Sequence, residues 1–345
     1  MKKIMHVTEV LSGGVLPVIA GICNGLSDKY QFVVVFGLRF DTPKNLNEVF
    51  DSRVKLIPLP SLKLKISIKG DITAIKDLRR IVCEENPEVI HIHSTKAGID
   101  ARLGLWRCSA EKYYTPHGFC FLRKDQNRIK RVLLITMESF LTHFCDGIIA
   151  CGKNEYKVAK KFTKKAVLIN NGLDTKLVNE AEANVIEQEH RYTIYTAGRI
   201  GPQKNPRLFN EIATKLPEYR FVWIGDGDDR NQLTSPNIEI TGLLPRKEVI
   251  RRAKNYDCYL STSLWEGLPI ALMEAMYMEK KCVVSNVEGN NELIVKGKTG
   301  TLFNKLEEAC KQIIDNEDYG KEACKYIKAN YSLEGMCRKY EEVYK

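Results

Sequence analysis

Apolar and polar positions recur along the chain in one order: a short apolar run, a few polar or glycine-containing residues, then a stretch of helical periodicity. In the first half the apolar runs are KIMHVTEV (3–10), QFVVVFGL (31–38), VKLIPLP (54–60), PEVIHIH (87–93), KYYT (112–115) and DGIIACG (146–152). Bounded runs rich in Val, Ile and Phe predict buried strands. Helical patterns follow at about 16–28, 71–85, beyond a loop at Ser94–Ala97, and at 123–144. In the second half strands are expected within 191–197, 219–224, 238–241 and 258–263, and a strand with its loop within 280–294. Helices are expected from Pro206, after Pro245 and behind Pro269, and 176–190 reads as loop. Strand, glycine turn, helix is the opening unit of a doubly wound α/β domain, in which ligands meet the carboxyl ends of strands.

A length of 345 residues is long for one core and fits two domains. Apolar content of 44% with 28% charged residues excludes a disordered chain. The opening MKKIMHVTEVLSGGV starts basic, but Thr8, Glu9, Ser12 and two glycines break its apolar run, so it reads as strand and turn and not as a signal peptide. No stretch approaches the roughly 18 uninterrupted apolar residues of a membrane span, and a cytoplasmic protein is expected. The eleven cysteines contain no CxxC pair and scatter through predicted elements, which suits small buried thiols better than a zinc site. Charge is uneven. Residues 1–170 carry 28 Lys and Arg against 16 Asp and Glu, a net +12, whereas the remaining 175 carry 25 against 27, a net −2. A basic first half points to an anionic partner: membrane surface, lipid-linked diphosphate or nucleic acid. Five basic residues in nine open the apolar stretch 123–144, and such a helix can lie on an anionic bilayer. The same helix, with a charged first turn, also suits a core position. No stacking or recognition motif for nucleic acid is present.

The densest chemistry lies in WEGLPIALMEAM (265–276). Proline suits a first helical position, which puts Glu266 on the loop in front of a helix and Glu274 in its early turns. Eight residues of unbroken helix would turn the two carboxylates about 80° apart. With Glu266 in the loop they can converge on one ligand, and the free amides of the helix start favour an anionic group there. Upstream, GRIGPQKNP (198–206) sets Arg199 and Lys204 around a Gly-Pro turn between strand and helix. A guanidinium can clamp phosphate oxygens bidentately and a lysine supplies a mobile point charge, though solvated loop charges look the same in sequence. In the first half, His91 and His93 sit in an apolar strand, one of them as a satisfied core histidine, while His117 lies in a Gly-flanked loop.

These stretches together resemble the retaining glycosyltransferases of family 4. The WEGLPIALMEAM run resembles the family's paired-glutamate motif and GRIGPQKNP its diphosphate-binding loop. The GDG turn at 225–227, the Gly242–Pro245 loop and the HSTKAG and TPHG loops also match in family order. The resemblance implies the GT-B fold: two Rossmann-like doubly wound α/β domains facing across a cleft, at 1–170 for the acceptor and 171–328 for the nucleotide sugar. A terminal helix, 329–345, would cross back to the first domain. It implies donor binding by Gly13, Gly14, Gly198, Arg199, Lys204, Gly225, Gly242, Leu243, Glu266, Gly267, Leu268, Pro269, Ile270 and Glu274. Catalysis would fall to Arg199, Lys204, Glu266 and His117, with Ser94, Thr95, Lys96 and His117 on the acceptor side. Glu274 would accept from the ribose hydroxyls and Glu266 from the donor sugar. No metal and no cofactor is implied beyond the nucleotide-diphosphate sugar, most simply a UDP-sugar. The partners would be a lipid-linked polyprenyl diphosphate saccharide and an anionic membrane surface on the cytoplasmic side, and not nucleic acid. A sugar-nucleotide epimerase of the same fold and a non-catalytic membrane- or partner-binding subunit remain the alternatives.

Overall fold

The continuous Val- and Ile-rich runs do form parallel strands. A computed structural model describes residues 1–65, 67–123, 126–181 and 191–345. They divide into two compact units, the first comprising Met1–Leu122, Gln126–Gly172 and Leu333–Lys345, the second built on Leu173–Ser332. The part of the expected loop at 182–190, and Lys124 and Asp125 of the basic run, lie outside the described residues.

The first unit holds β1 (Lys3–Thr8), β2 (Gln31–Phe36), β3 (Lys55–Pro58), β4 (Val89–His93), β5 (Glu111–Thr115), β6 (Gly147–Ala150) and β7 (Ala166–Leu168). They form a parallel sheet in the order β3-β2-β1-β4-β5-β6-β7. Helices cover it, and Met5, Val7, Val33, Ile90, Ile92 and Ile148 pack in its core. The register sets His6 opposite His91 and Thr8 opposite His93. The second unit repeats the plan with β8 (Thr193–Ala197), β9 (Arg220–Ile224), β10 (Ile238–Ile240), β11 (Cys258–Ser261), β12 (Lys281–Ser285) and β13 (Thr301–Phe303). Their order is β10-β9-β8-β11-β12-β13, around a core that includes Ile194, Phe209, Trp223, Leu260 and Val283. In each sheet the strand order reverses beside the first strand, between β1 and β4 and between β8 and β11. Doubly wound sheets bind ligands at such a reversal, because the following loops part there.

The terminal helix Leu333–Tyr344 belongs to the first unit, where it lies on the helix Val15–Leu26. Glycine allows this approach: a Cβ on Gly25 would stand 2.6 Å from the Cys337 sulfur. At its end the Tyr344 hydroxyl lies 2.6 Å from His91 Nδ1.

Several helix starts differ from the sequence reading. The helix expected beyond Ala97 begins at Thr95, because the Glu9 carboxylate, arriving from the end of β1, accepts from the Lys96 and Ala97 amides at 3.2 and 3.0 Å. Residues Thr175–Glu180 are helical rather than loop, capped by Asp174, which accepts from the Lys176 amide at 3.0 Å. The basic helix spans Arg128–Leu141, and Asn127 caps it by accepting from the Lys130 amide at 2.8 Å. Pro269 is the residue before the helix Ile270–Tyr277, with extended ψ, and not its first residue.

Candidate active site

At the reversal in the second sheet, β8 runs into Gly198 with φ of +139°, a backbone shape that side chains resist. The two glycine turns here lie back to back. A Cβ on Gly225 would stand 2.1 Å from the Gly198 carbonyl oxygen, and one on Gly227 2.0 Å from that of Ile200. The Gly198 amide donates to the Ile224 carbonyl at 3.0 Å and the Ile200 amide to that of Asp226 at 2.9 Å. This packing holds the 198–205 turn open for Arg199 and Lys204. Arg199 is about 41% exposed and meets Asp228 only at 3.8 Å, so its guanidinium faces solvent ready for an anion. Gly242, with φ of +75°, continues the rim beside Asp226, and Leu243 next to it is half exposed.

Lys204 is nearly buried, and its ammonium lies 2.8 Å from Glu266 Oε1. Burial disfavours its charge, but the Glu266 carboxylate more than compensates and holds the lysine pKa above its usual value. Ser263 donates to the same carboxylate oxygen at 2.7 Å, and the Gln203 amide donates to the other at 3.1 Å. The loop is fixed from behind by Gly289, where a Cβ would stand 2.3 Å from the Gly267 carbonyl oxygen. Glu274, inside the following helix, is buried and paired with Arg246. Its carboxyl pKa is raised by burial, against the pull of Arg246. Beneath both glutamates lies the Tyr259 hydroxyl, buried and without a hydrogen-bond partner. Burial pushes it up to about 12, with Lys204 opposing and Glu266 and Glu274 adding to the rise. Leu268 and Ile270 turn their side chains into the core, so a ligand at those positions meets only backbone.

The geometry therefore assembles Gly198, Arg199, Lys204, Gly225, Gly242, Leu243, Glu266, Gly267, Pro269 and Glu274 on one rim of the second unit. Sequence reasoning missed Gln203, Ser263, Tyr259, Arg246 and Gly289. Of these, Arg246 carried a signal, since it follows Pro245 at a helix start, and so did Gly289 in an Asn-rich turn.

The remaining candidates lie at the reversal in the first sheet. Gly13 has φ of +53°, and a Cβ on Gly13 or Gly14 would meet nothing within 4 Å, so space opens in front of that turn. Ser94, with φ of +67°, and Thr95 are partly exposed at the start of their helix. Lys96 departs from the expected acceptor-facing role. It is 5% exposed, its ammonium sits 2.9 Å from Asp71 and pairs with Asp100, and its charge is neutralised inside the fold. His117, half-buried with φ of +52°, is drawn into a histidine cluster. His6 Nδ1 lies 2.8 Å from His93 Nε2, and His93 Nδ1 lies 3.0 Å from His117 Nε2. His91 Nε2 meets the Thr115 hydroxyl at 2.8 Å. Burial pushes His6 down to about 3 and His117 to about 4, and burial with the neighbouring rings holds His91 and His93 well below the usual range. All four are neutral at pH 7. His6, His91 and His93 bring ligand-capable atoms within 4.8 Å of one another. A metal bound there would have to break bonds already made by both nitrogens of His91 and of His93, so the set fits a hydrogen-bonded cluster better.

Residues 12–177 match the family model described as Glycosyltransferase Family 4, and residues 178–332 the model described as Glycosyl transferases group 1. Similar solved structures include sucrose-phosphate synthase from Thermosynechococcus elongatus, with TM-score 0.84 at 12% identity over 100% of this chain and 98% of that one. Anabaena HepE in complex with UDP and glucose gives 0.81 at 15%, over 99% of each. The fold is that of the GT-B glycosyltransferases. An Escherichia coli UDP-Gal:α-D-GlcNAc-diphosphoundecaprenol α-1,3-galactosyltransferase is 29% identical over 284 residues, 75% of this chain and 73% of the relative. The O-antigen biosynthesis glycosyltransferase WbnH of the same species is 25% identical over 279 residues, 76% and 79% of the two chains. The chain belongs to glycosyltransferase family 4.

Proposed function

We propose that the protein transfers a hexosyl or N-acetylhexosaminyl group, with retained configuration and without a metal, from a UDP-sugar to a saccharide on a polyprenyl diphosphate. The setting is bacterial surface polysaccharide assembly, of capsule, O-antigen or exopolysaccharide, at the inner face of the cytoplasmic membrane. The carrying observation is the pairing of Lys204 with Glu266 beside the solvent-facing Arg199, at the strand-order reversal of the second sheet. On this reading the two cations meet the growing charge of a leaving diphosphate, which is the work a metal ion does elsewhere. Glu266 holds Lys204 charged and takes hydroxyls of the donor sugar. Glu274 takes the ribose hydroxyls, and the backbone at Gly242–Leu243 takes the base.

In the reaction the bond from the anomeric carbon to the β-phosphate oxygen breaks, and a bond to the acceptor oxygen forms on the same face. The acceptor proton passes to the departing phosphate. The Escherichia coli galactosyltransferase relative, by its name, uses UDP-galactose and a diphosphoundecaprenol-linked acceptor, which supports these classes of donor and acceptor. His117 serves as a neutral hydrogen-bond donor to the sugar, and Ser94 and Thr95 line the acceptor side.

The membrane contact rests on the helix Arg128–Leu141. Ile129, Val132, Leu133 and Phe140 are 83, 63, 67 and 58% exposed, beside exposed Arg128, Lys130 and Arg131. An apolar face framed by cations suits the interface of an anionic bilayer. No described helix is long and apolar enough to cross one.

Saturation-transfer NMR with a panel of UDP-, GDP- and dTDP-sugars in EDTA tests the donor site. Binding confined to UDP-sugars is expected. Binding that needs added divalent metal would refute the metal-free reading, and silence across the panel would favour a non-catalytic subunit.

A further inference from the structure

The histidine cluster of the first unit is built more elaborately than a core needs. Burying a polar ring is costly unless it is hydrogen-bonded, yet three imidazoles lie fully buried side by side and a fourth continues them. The rings of His6 and His93 stack with centroids 5.1 Å apart, and those of His93 and His117 at 5.2 Å, so they form a file from the core to the loop. His117 holds a left-handed backbone conformation to complete it. Such strain in a non-glycine residue persists only where the surroundings over-determine it.

We propose that His6 and His93 are positioning residues that fix His117 as a single neutral tautomer, with its proton on Nδ1. What His117 then meets, a sugar hydroxyl, rests on the functional reading above; the lock itself does not.

A neutral imidazole carries one N–H, so each ring in the file donates in one direction only. Two polarities are available. In one, His117 Nε2 donates to His93 Nδ1 and His93 Nε2 donates to His6 Nδ1. That leaves the proton of His6 on Nε2, which is buried and has no partner. An orphaned buried N–H is among the rarest defects in folded proteins. In the other polarity His6 Nδ1 donates to His93 Nε2, and His93 Nδ1 donates to His117 Nε2. Only a lone pair is then left bare on His6, and His117 must carry its own proton on Nδ1. His117 makes no other hydrogen bond among the described residues, so Nδ1 is the atom left to act.

The file also stops protons from leaving. His6 Nε2 ends it inside the core, and His91 is closed off by Tyr344 at one nitrogen and Thr115 at the other. The cluster is therefore a lock on His117 and not a relay to solvent.

Long-range 1H–15N correlation of the full chain labelled with 15N-histidine reads the tautomers directly at pH 7.5, with His117 assigned by its loss in His117→Gln. Nδ1 protonated and Nε2 bare is the expected result. An Nε2–H tautomer, or averaging between the two, overturns the proposal. His6→Phe keeps a ring of similar size and removes the donor at the head of the file. It should let His117 average between tautomers and lower kcat about 3- to 10-fold with an unchanged donor KM. His6→Asn places an amide N–H near the position of Nδ1 and should restore both. A His6→Phe protein that folds and keeps the single tautomer overturns the lock, as does failure of His6→Asn to rescue. Wild-type protein that shows the locked tautomer but binds no nucleotide sugar would remove the sugar as the partner of His117 and leave the lock standing.

Discussion

Arg199 and Lys204 carry the same charge five positions apart in the chain, yet they should fail differently when removed. Arg199 is about 41% exposed, with its acidic neighbour 3.8 Å away, an ion pair of small worth to stability. Arg199→Ala should therefore lower kcat by about 100-fold or more, as loss of one transition-state donor does, with an unchanged melting temperature. Lys204 is nearly buried against Glu266. Lys204→Ala leaves that carboxylate with only Ser263 and Gln203, so it should lose activity and also about 2–3 kcal/mol of stability. Steady-state kinetics beside thermal melts separate the two, and equal melting of both variants would contradict the site as drawn. On the proposed function, Glu274→Ala should instead raise the donor KM by about tenfold, because the ribose contact proposed for it would be lost while those proposed for the phosphates stay. Isothermal titration of UDP would show it, and an unchanged affinity would take Glu274 out of the donor site.

At the scale of elements, local patterns were legible where they are local in origin. The strands show as continuous apolar runs because both faces of each sheet are covered, and the helix start at Pro206 shows because proline favours a first turn. What was not legible comes from across the sheet. Thr95 starts a helix because Glu9, 86 positions earlier, satisfies its amides, and Lys96 is buried because Asp71 and Asp100 wait for it. Arg246 reaches Glu274 only once two successive crossovers are folded. The helix Arg128–Leu141 was ambiguous in sequence, since a basic start with an apolar body suits a core or a membrane equally. Folding resolves which face is outward: Glu138 is buried against Arg102 at 2.8 Å, while Ile129 and Leu133 stand in solvent. The double variant Ile129→Glu/Leu133→Glu should keep its melting temperature within error, because exposed positions contribute little to stability. It should also stop floating with anionic liposomes at low salt. Wild-type protein that does not float at low salt, or a variant that floats as well as wild type, would remove this helix as the membrane contact.

For the whole molecule, the histidines make the two units unequal toward acid. His6, His91 and His93 are fully buried, and burial lowers their pKa values in the folded chain, to about 3 for His6 and well below the usual range for the others. In the unfolded chain each titrates near 6.5. Between those limits the unfolded state binds more protons than the folded one, so stability rises with pH and is fully present only above about 6.5. Below it, each histidine removes up to about 1.4 kcal/mol per pH unit, and three together about 4. Glu9 and Asp100 shift the other way, their pKa values raised chiefly by burial, so their proton uptake in the folded chain offsets part of that loss in the lower part of the window. A domain stability of about 5–15 kcal/mol is then consumed within about one to four pH units. The second unit has no histidine among its described residues. Hydrogen exchange at stepped pH, corrected for intrinsic rates, should show protection in β1, β4 and the terminal helix falling between pH 6 and 4, ahead of β8 and β11. Replacing His91 by Gln, which can still bond Thr115 or Tyr344 but takes up no proton, should shallow that loss by about one histidine's share. Simultaneous loss of protection in both units, or an unchanged slope in His91→Gln, would show that the buried cluster does not set the acid limit.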